Sequence, residues 1–271
     1  MATLHLEDGP DGRWRELTLH HGKANEIGTA QLDELDALVD GLYVDPTIAA
    51  LITRSTQVTR SGTPVFVAGA NVTERAGWSE EAVLAHVTRQ RALLRRLAEA
   101  PVFHVAVVDG VAFGWGAEYT LTADYVLVSP KARFALPETG LGILPGAGGT
   151  TELQRRIGPG HAARLAMTGD AIDAAEAVRI GLAHALLPSP EDALTEARRL
   201  ATAAATRSPT ANAAFKAALL ASQGLPRDAT AQLEASAYAH TVRTGEAAIG
   251  RARFAAGSDA DKPAWGPRRL A

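Results

Sequence analysis

Two glutamates are the residues best suited to chemistry, because each lies within an apolar stretch. Glu118 follows Gly116 by two residues among small and apolar side chains, and Glu138 follows the apolar residues 134–136. Apolar surroundings raise the pKa of a carboxyl group toward neutrality, where it can both accept and release a proton. Brought together, the two form a general acid/base pair. The alternative is that each is an ordinary surface or helix-capping glutamate.

Glycine-rich turns offer a second kind of chemistry, through backbone amides. Gly114, Trp115 and Gly116 follow an apolar strand and open a predicted helix, so their N–H groups are free donors at its positive end. Donors placed in this way stabilise an oxyanion. Residues 67–70 also end an apolar strand and offer a second donor. The alternative is that these glycines only permit tight turns.

Residue types and spacing argue against other kinds of site. The chain of 271 residues has no cysteine, which excludes a thiolate nucleophile, a disulfide and an iron–sulfur cluster. The glycine-rich residues 140–149 lack the spacing of a dinucleotide or phosphate loop. His20 and His21 are adjacent and point apart, and His104 lies in an apolar strand, where we expect a core role. We therefore predict no metal site.

Charge and hydropathy argue against two classes of partner. Lys and Arg number 27 and Asp and Glu 30, a net charge of −3, which gives no electrostatic footprint for nucleic acid. No apolar run is long enough to cross a bilayer, and the first 21 residues lack the pattern of a signal peptide. We expect a cytoplasmic protein that binds neither nucleic acid nor a membrane.

The elements that must position these residues alternate between short apolar strands and amphipathic helices. The pattern predicts strands at 16–19, 48–52, 65–67, 102–108 and 125–128. It predicts helices at 31–42, 79–100, 116–123, 152–157, 161–168, 174–180, 191–206, 209–222 and 226–244. Residues 20–27, 54–64 and 109–115 are predicted as loops or turns. The whole indicates a mixed α/β core with parallel strands, followed by a helical region.

Arg89, Arg91, Arg95 and Arg96 form a basic stretch on the predicted helix 79–100. We expect this stretch to be a solvated helix face. The alternative is that it holds the anionic tail of a ligand.

Three segments resemble motifs of the enoyl-CoA hydratase/isomerase (crotonase) family. Residues 109–124 resemble G-x-a-x-G-G-G-x-E-L-a-l-a-c-D, residues 134–150 resemble F-x-x-P-E-x-x-l-G-x-x-P-g-x-G-G-t, and residues 66–70 resemble F-s-A-G-A-D. The similarity continues over residues 165–182 and reaches a K-P-x-W segment at 262–265. It therefore covers nearly the whole chain.

The resemblance implies an α/β fold and an oligomer. It places a crotonase-like spiral of β-β-α units over residues 1–205. It places a C-terminal helical oligomerisation region, which builds a homotrimer or a dimer of trimers, over residues 206–271.

The resemblance also implies roles for particular residues. The backbone amides of Ala70 and Trp115 fall where the family binds the thioester carbonyl in an oxyanion hole. Glu118 and Glu138 fall on the two catalytic glutamates, which position a water for addition at C3 and move a proton at C2. Members that only shift a double bond often keep just the glutamate at position 138, so both together favour hydration. The substrate-binding positions implied are Lys23, Ala24, Ala68, Asn71, Val72, Pro137 and Gly146, with the adenine end of coenzyme A near the first two.

The implied substrate is an acyl-CoA thioester, with coenzyme A as part of the substrate and no metal or redox cofactor. An acyl chain on a carrier protein is an alternative. Isomerisation, decarboxylation and C–C cleavage on the same scaffold stay open, as does a non-catalytic acyl-CoA-binding subunit.

The chain departs from the family motifs at three places. Trp115 stands at the middle glycine of G-G-G, Asn71 stands at the acid after A-G-A, and residues 56–64 form a longer loop. An amide donates whatever its side chain, so the oxyanion hole can survive the first change, and the indole is a candidate to contact the acyl group. These departures bear on the identity of the acyl group rather than on the acid/base pair.

Overall fold

The computed structural model describes residues 3–257 and 265–270, which form two β-sheets with packed helices. The strands of the larger sheet are Leu4–Asp8 (β1), Trp14–Leu19 (β2), Ala50–Ser55 (β3), Phe103–Val108 (β6), Tyr125–Val128 (β8) and Ala185–Leu186 (β11). Those of the smaller sheet are Gln57–Val58 (β4), Pro64–Val67 (β5), Val111–Phe113 (β7), Arg133–Ala135 (β9) and Ile172–Asp173 (β10). The strand orders are β1-β2-β3-β6-β8-β11 and β10-β9-β7-β5-β4.

Nine α-helices fall within the same ranges. They are Thr29–Val44 (α1), Glu80–Glu99 (α2), Trp115–Thr120 (α3), Gly149–Thr168 (α4), Ala174–Arg179 (α5), Pro190–Ala205 (α6), Pro209–Ala221 (α7), Arg227–Arg243 (α8) and Glu246–Ala256 (α9). Two 3-10 helices, Val72–Arg75 and Pro137–Leu141, lie in the loops after β5 and β9. Ser189 and Ser208 cap α6 and α7, and each is followed by proline, the residue preformed for a first helical turn. None of the described helices is long and apolar enough to span a membrane.

The main hydrophobic core lies between the two sheets, and a second, smaller core lies under α6. Leu51 and Ile52 are adjacent on β3 and contribute to different cores, as alternation along a strand requires. The face of α6 against the larger sheet is a row of fully buried alanines at every fourth position, Ala193, Ala197, Ala201 and Ala205. Their small side chains let the helix lie close to the strands.

The predicted mixed α/β core with a helical C-terminal region is confirmed, and so are parallel pairs such as β3–β6 and β6–β8. The prediction of a turn over 109–115 is wrong for β7, and that of a loop over 54–64 is wrong for β4. Strands of two or three residues are too short to show an alternating pattern. Residues 262–264 of the K-P-x-W segment lie outside the described residues. α6 ends at Ala205, and the division of the chain at 205/206 stays a prediction.

The C-terminal segment returns to the end of α1. The guanidinium of Arg268, which is buried, donates hydrogen bonds to the carbonyl oxygens of Leu42 (2.5 Å), Asp45 (3.0 Å) and Ile48 (2.6 Å). The last carbonyls of a helix have no partner inside it. Arg268 therefore completes the C-terminal turn of α1 from a distant part of the chain.

A buried ion pair attaches α7 to the larger sheet. The Lys216 ammonium, 7% exposed, donates to the Val102 carbonyl oxygen (2.9 Å) and to Asp124 Oδ2 (2.8 Å). The same Asp124 oxygen accepts the backbone N–H of His104 at 2.8 Å. Burial lowers the pKa of Lys216, and the Asp124 charge offsets this effect.

We predict that Lys216→Met lowers the free energy of unfolding by about 2 kcal/mol, because it leaves the partly buried Asp124 carboxylate without its cation. The double variant Lys216→Met/Asp124→Asn should recover part of the loss. Urea denaturation of the two variants checks this, with Lys131→Met on the exposed surface as the control. Equal stability of Lys216→Met and the parent protein would contradict it.

Candidate active site

The candidate residues meet where neighbouring parallel strands of the smaller sheet end. β5 and β7 are adjacent and parallel, and Val67 pairs with Ala112. Ala70 and Trp115 each lie three residues beyond this pair, so both follow the same edge of the sheet. The carboxyl ends of parallel strands are the usual place for a binding crevice in α/β sheets.

The amides of Ala70 and Trp115 are free. Neither N–H donates a hydrogen bond to any group in residues 3–257 or 265–270. Glycines bring the two segments close: a Cβ at Gly116 would overlap the Val67 carbonyl oxygen, so α3 begins directly against β5. Gly114 caps α3 with φ +51°, a conformation that glycine adopts without strain.

A second backbone segment holds the Ala70 turn in place. The Ala68 N–H donates to the Ala24 carbonyl (3.0 Å), the Ile27 N–H to the Gly69 carbonyl (3.0 Å), and the Asn71 N–H to the Ile27 carbonyl (2.8 Å). The bonds to Gly69 and from Asn71 lie on either side of Ala70, whose own N–H stays free. The turn is therefore fixed without consuming that donor.

Asn25 anchors this second segment, and sequence reasoning missed it. Its side chain is buried, its φ is +53°, and its Nδ2 donates to Ser55 Oγ (2.9 Å) and the Phe66 carbonyl (2.8 Å). Its Oδ1 accepts the His21 N–H at 2.7 Å. Asparagine is enriched among residues with positive φ, which was the available signal.

Glu118 lies on α3 with its carboxyl group buried. Its Oε1 accepts the N–H groups of Ala147 and Gly149, both at 2.8 Å. The pKa of Glu118 is raised to about 7: burial is the main cause, the charge of Glu138 adds to the rise, and the two amide hydrogen bonds oppose it. The carboxyl group is thus able to change protonation near neutral pH.

Glu138 lies on the 3-10 helix after β9, the strand next to β7. The Gly114 N–H donates to the Ala135 carbonyl (2.9 Å), which joins the start of α3 to the end of β9. A Cβ at Gly114 would lie 2.7 Å from Glu138 Oε1, so the carboxyl group packs against this turn. Its Oε2 is buried without a hydrogen-bond partner among the described groups, and burial raises the pKa of Glu138.

Helix α2 covers the loop that binds Glu118. The Arg91 Nε–H donates to the Gly146 carbonyl at 2.8 Å, and a Cβ at Gly146 would lie 3.0 Å from Val87. The positive charge of Arg91 acts to lower the pKa of Glu118. Gly146, predicted as a substrate-binding position, is therefore the point at which the loop that binds Glu118 contacts α2.

The prediction of a solvated arginine face on α2 fits Arg91 and Arg95, which are exposed, and is wrong for Arg89 and Arg96, which are ion-paired with another helix. Arg89 bonds Asp33 and Asp36 of α1, and Arg96 bonds Asp36 and Asp40. The paired residues lie more than 50 positions apart in sequence, so the pattern of one helix could not reveal them.

Trp115 directs its indole into the main core. The side chain is 3% exposed, and its ring centroid lies 5.5 Å from that of Tyr119, one helical turn later. The Tyr119 hydroxyl shares a hydrogen bond with Thr53 Oγ1 (3.0 Å), which also bonds His104 Nε2 (3.0 Å). The core position predicted for His104 is confirmed, and contact of the indole with an acyl group stays a prediction.

The other predicted substrate-binding positions surround these groups. Ala24 and Ala68 lie side by side, and Asn71 Oδ1 accepts the Thr73 hydroxyl at 2.6 Å. Lys23, Val72 and Pro137 have exposed side chains. Their roles stay predictions. The described residues contain no cluster of acidic, histidine or cysteine side chains that could hold a metal ion.

Taken together, the geometry supplies two free amides, one buried carboxyl group and one half-buried carboxyl group at one sheet edge, and both carboxyl groups have a raised pKa. Free amides can bind a negative oxygen, and such carboxyl groups can exchange protons with a neighbouring carbon or water.

A family model described as enoyl-CoA hydratase/isomerase matches residues 15–266 of the chain. The chain is 33% identical to crotonyl-CoA hydratase of Syntrophomonas wolfei subsp. wolfei over 232 residues, 85% of this chain and 86% of that protein. It is 32% identical to the mitochondrial methylglutaconyl-CoA hydratase of Homo sapiens over 237 residues, 86% of this chain and 68% of that protein. The crystal structure of an enoyl-CoA hydratase from Bacillus anthracis superposes with a TM-score of 0.88 at 28% identity, covering 97% and 99% of the two chains.

The raised pKa of Glu118 predicts a pH-dependent stability. Because the folded protein binds this proton more tightly than the unfolded chain, its stability falls as pH rises from the unfolded pKa of 4.5 to about 7. Glu118→Gln removes this titration and keeps an oxygen for the two amides. We expect the variant to be more stable than the parent at about pH 8, by up to about 3 kcal/mol, and to lose this advantage near pH 5.

Urea denaturation at the two pH values measures the difference. Glu191→Gln, at an exposed position in the first turn of α6, is the control and should show no comparable change with pH. A stability difference for Glu118→Gln that does not grow with pH would contradict the buried, proton-binding carboxyl group.

Proposed function

The chain belongs to the enoyl-CoA hydratase/isomerase family, and we propose that it adds water across the 2,3 double bond of an enoyl-CoA thioester. The observation that carries the proposal is a pair of carboxyl groups, the buried Glu118 and the half-buried Glu138, each with a raised pKa, beside two free amides. The hydratases named among its relatives support the same reaction.

In this proposal the amides of Ala70 and Trp115 bind the thioester carbonyl oxygen. Addition at C3 moves electrons onto that oxygen and forms an enolate. Two donors aimed at an oxygen stabilise it more strongly as its negative charge grows, which lowers the barrier. The tightly bonded turn around Ala70 and the glycine contact under α3 keep both donors fixed.

The two carboxyl groups divide the proton transfers. The amide bonds to Glu118 favour its ionised form, so it accepts a proton from water as the hydroxyl adds to C3. Glu138 has an unpaired, buried oxygen that favours its protonated form, so it donates a proton to C2 of the enolate. The product thus carries the hydroxyl group at C3 and a new hydrogen at C2. Glu118 gains one proton and Glu138 loses one, so the two carboxyl groups together hold as many protons as before.

Coenzyme A takes part as a portion of the substrate, and no metal or redox group enters the proposed steps. We propose contact with Lys23 and Ala24 for its adenine end. An acyl carrier protein could present the same thioester, and poor turnover of free coenzyme A esters would indicate that source.

We also propose a homotrimer or a dimer of trimers built by the C-terminal helices. Helices α7–α9 expose large apolar side chains, among them Phe215, Leu219, Tyr238 and Phe254. Large exposed apolar patches commonly mark association surfaces.

Glu118→Gln and Glu138→Gln should each lower kcat for crotonyl-CoA by about a hundredfold or more, because each removes a proton-transfer group. Loss of the absorbance of the conjugated enoyl thioester measures the rate, and mass spectrometry in heavy-oxygen water shows whether solvent oxygen enters at C3. Glu191→Gln is the control and should leave the rate unchanged. Turnover without solvent oxygen in the product would instead indicate isomerisation or another enolate reaction.

Gly116→Ala should abolish most of this activity, because its methyl group overlaps the Val67 carbonyl and must displace α3 with the Trp115 amide. The matched control is Gly160→Ala, since a Cβ there meets nothing within 4 Å. Circular dichroism confirms that both variants are folded. Full activity in Gly116→Ala would contradict the role of the close contact.

A further inference from the structure

Arg75 is a half-buried cation without a partner. It ends the 3-10 helix Val72–Arg75, and its guanidinium makes no hydrogen bond or ion pair with another described residue. Its Nε is buried with no acceptor, and burial lowers the pKa of Arg75. Buried cations in proteins are normally paired, so a half-buried guanidinium with no hydrogen-bonded partner is unusual.

The neighbouring acid is already engaged. Glu74 accepts the Thr29 N–H at 3.0 and 3.1 Å and the Thr29 hydroxyl at 3.3 Å, and so caps the first turn of α1. Its charge acts to raise the pKa of Arg75 but its oxygens bond elsewhere. On α2, Arg89 is paired with the aspartates of α1 and takes no part.

Two buried polar side chains on α2 also have a ring or amide nitrogen without a hydrogen-bond partner. His86 and Gln90 lie one turn apart on the buried face of α2, 8% and 3% exposed, and His86 Nε2 and Gln90 Nε2 have no hydrogen-bond partner in the described chain. The charge of Arg75 acts to lower the pKa of His86, which shows that the two are within electrostatic reach. His86 Nε2 lies 3.8 Å from Glu74 Oε1, beyond hydrogen-bond distance.

Arg75 and helix α2 each follow or contact a segment of the candidate active site. Arg75 follows Ala70 by an extended pair of residues and one 3-10 turn, so their Cα atoms are at most about 13 Å apart. Helix α2 carries Gln90 beside Arg91, whose Nε–H bonds Gly146 in the loop that holds Glu118. A short acyl group bound by its carbonyl at Ala70 and extended toward Arg75 would bring its far end within reach of this long side chain.

A carboxylate matches this set of donors. The planar guanidinium offers parallel N–H groups that fit the two oxygens of a carboxylate, and the Gln90 amide adds N–H donors. An alkyl chain at this place would leave these N–H donors without hydrogen-bond partners, which costs free energy.

We propose that Arg75 and Gln90, flanked by His86, bind a carboxylate at the far end of the acyl group. The substrate class is then the coenzyme A monothioesters of unsaturated dicarboxylic acids. The reaction assigned to them rests on the proposed hydratase function, whereas the recognition of the carboxylate does not.

Binding of saturated thioesters tests recognition without turnover. By calorimetry, glutaryl-CoA should bind at least about tenfold more tightly than butyryl-CoA, and Arg75→Met should remove most of this preference. Arg95→Met, on the exposed face of α2, is the matched control and should keep it. Equal affinities for the two thioesters in the parent protein would overturn the proposal, as would an unchanged preference in Arg75→Met.

Turnover then separates the two proposals. Arg75→Met should lower kcat/KM for glutaconyl-CoA at least about tenfold more than for crotonyl-CoA. If the parent protein prefers glutaryl-CoA in binding but hydrates neither enoyl thioester, the hydratase function fails and carboxylate recognition stands. Preferred hydration of crotonyl-CoA, with no effect of Arg75→Met on the ratio, would leave the hydratase and overturn the recognition of a carboxylate.

Discussion

The site depends on keeping the Glu118 carboxyl group out of water while two amides bond one of its oxygens. Burial alone would hold the proton too tightly, and the amide bonds from Ala147 and Gly149 return the pKa to about 7. This balance requires the loop before α4 to lie close to α3. A Cβ at Gly149 would lie 2.9 Å from Glu118 Oε1, so only glycine allows the approach.

Close backbone contacts permitted by glycine also occur where the smaller sheet meets α3. Gly116 permits contact with β5, and Gly114 makes room for Glu138. Because three parallel strand ends and one short helix share so little space, the amides and carboxyl groups are positioned by backbone packing more than by side-chain bonds. We infer that function here is sensitive to single methyl groups at glycines and tolerant of larger changes at the exposed positions nearby.

The sequence predicted the groups with local signatures and missed those that depend on distant partners. The apolar surroundings of Glu118 and Glu138 and the glycine turns were visible as patterns, and the mixed α/β order followed from periodicity. β7 was missed because three residues between glycine turns carry no period. The pairing of Arg89 and Arg96 with α1, and the lack of any partner for Arg75, arise only when helices meet in space.

The hydrogen bonds of Arg268 determine when the C-terminal end of α1 can be completed during synthesis. The carbonyls of Leu42 and Asp45 at the end of α1 receive their donor from a residue more than 220 positions later. During synthesis, α1 and the loop before β3 leave the ribosome long before that guanidinium exists, so the growing chain carries an unfinished helix end. Contacts of such long range slow folding, and a chain interrupted before residue 268 would leave these carbonyl oxygens without their donor.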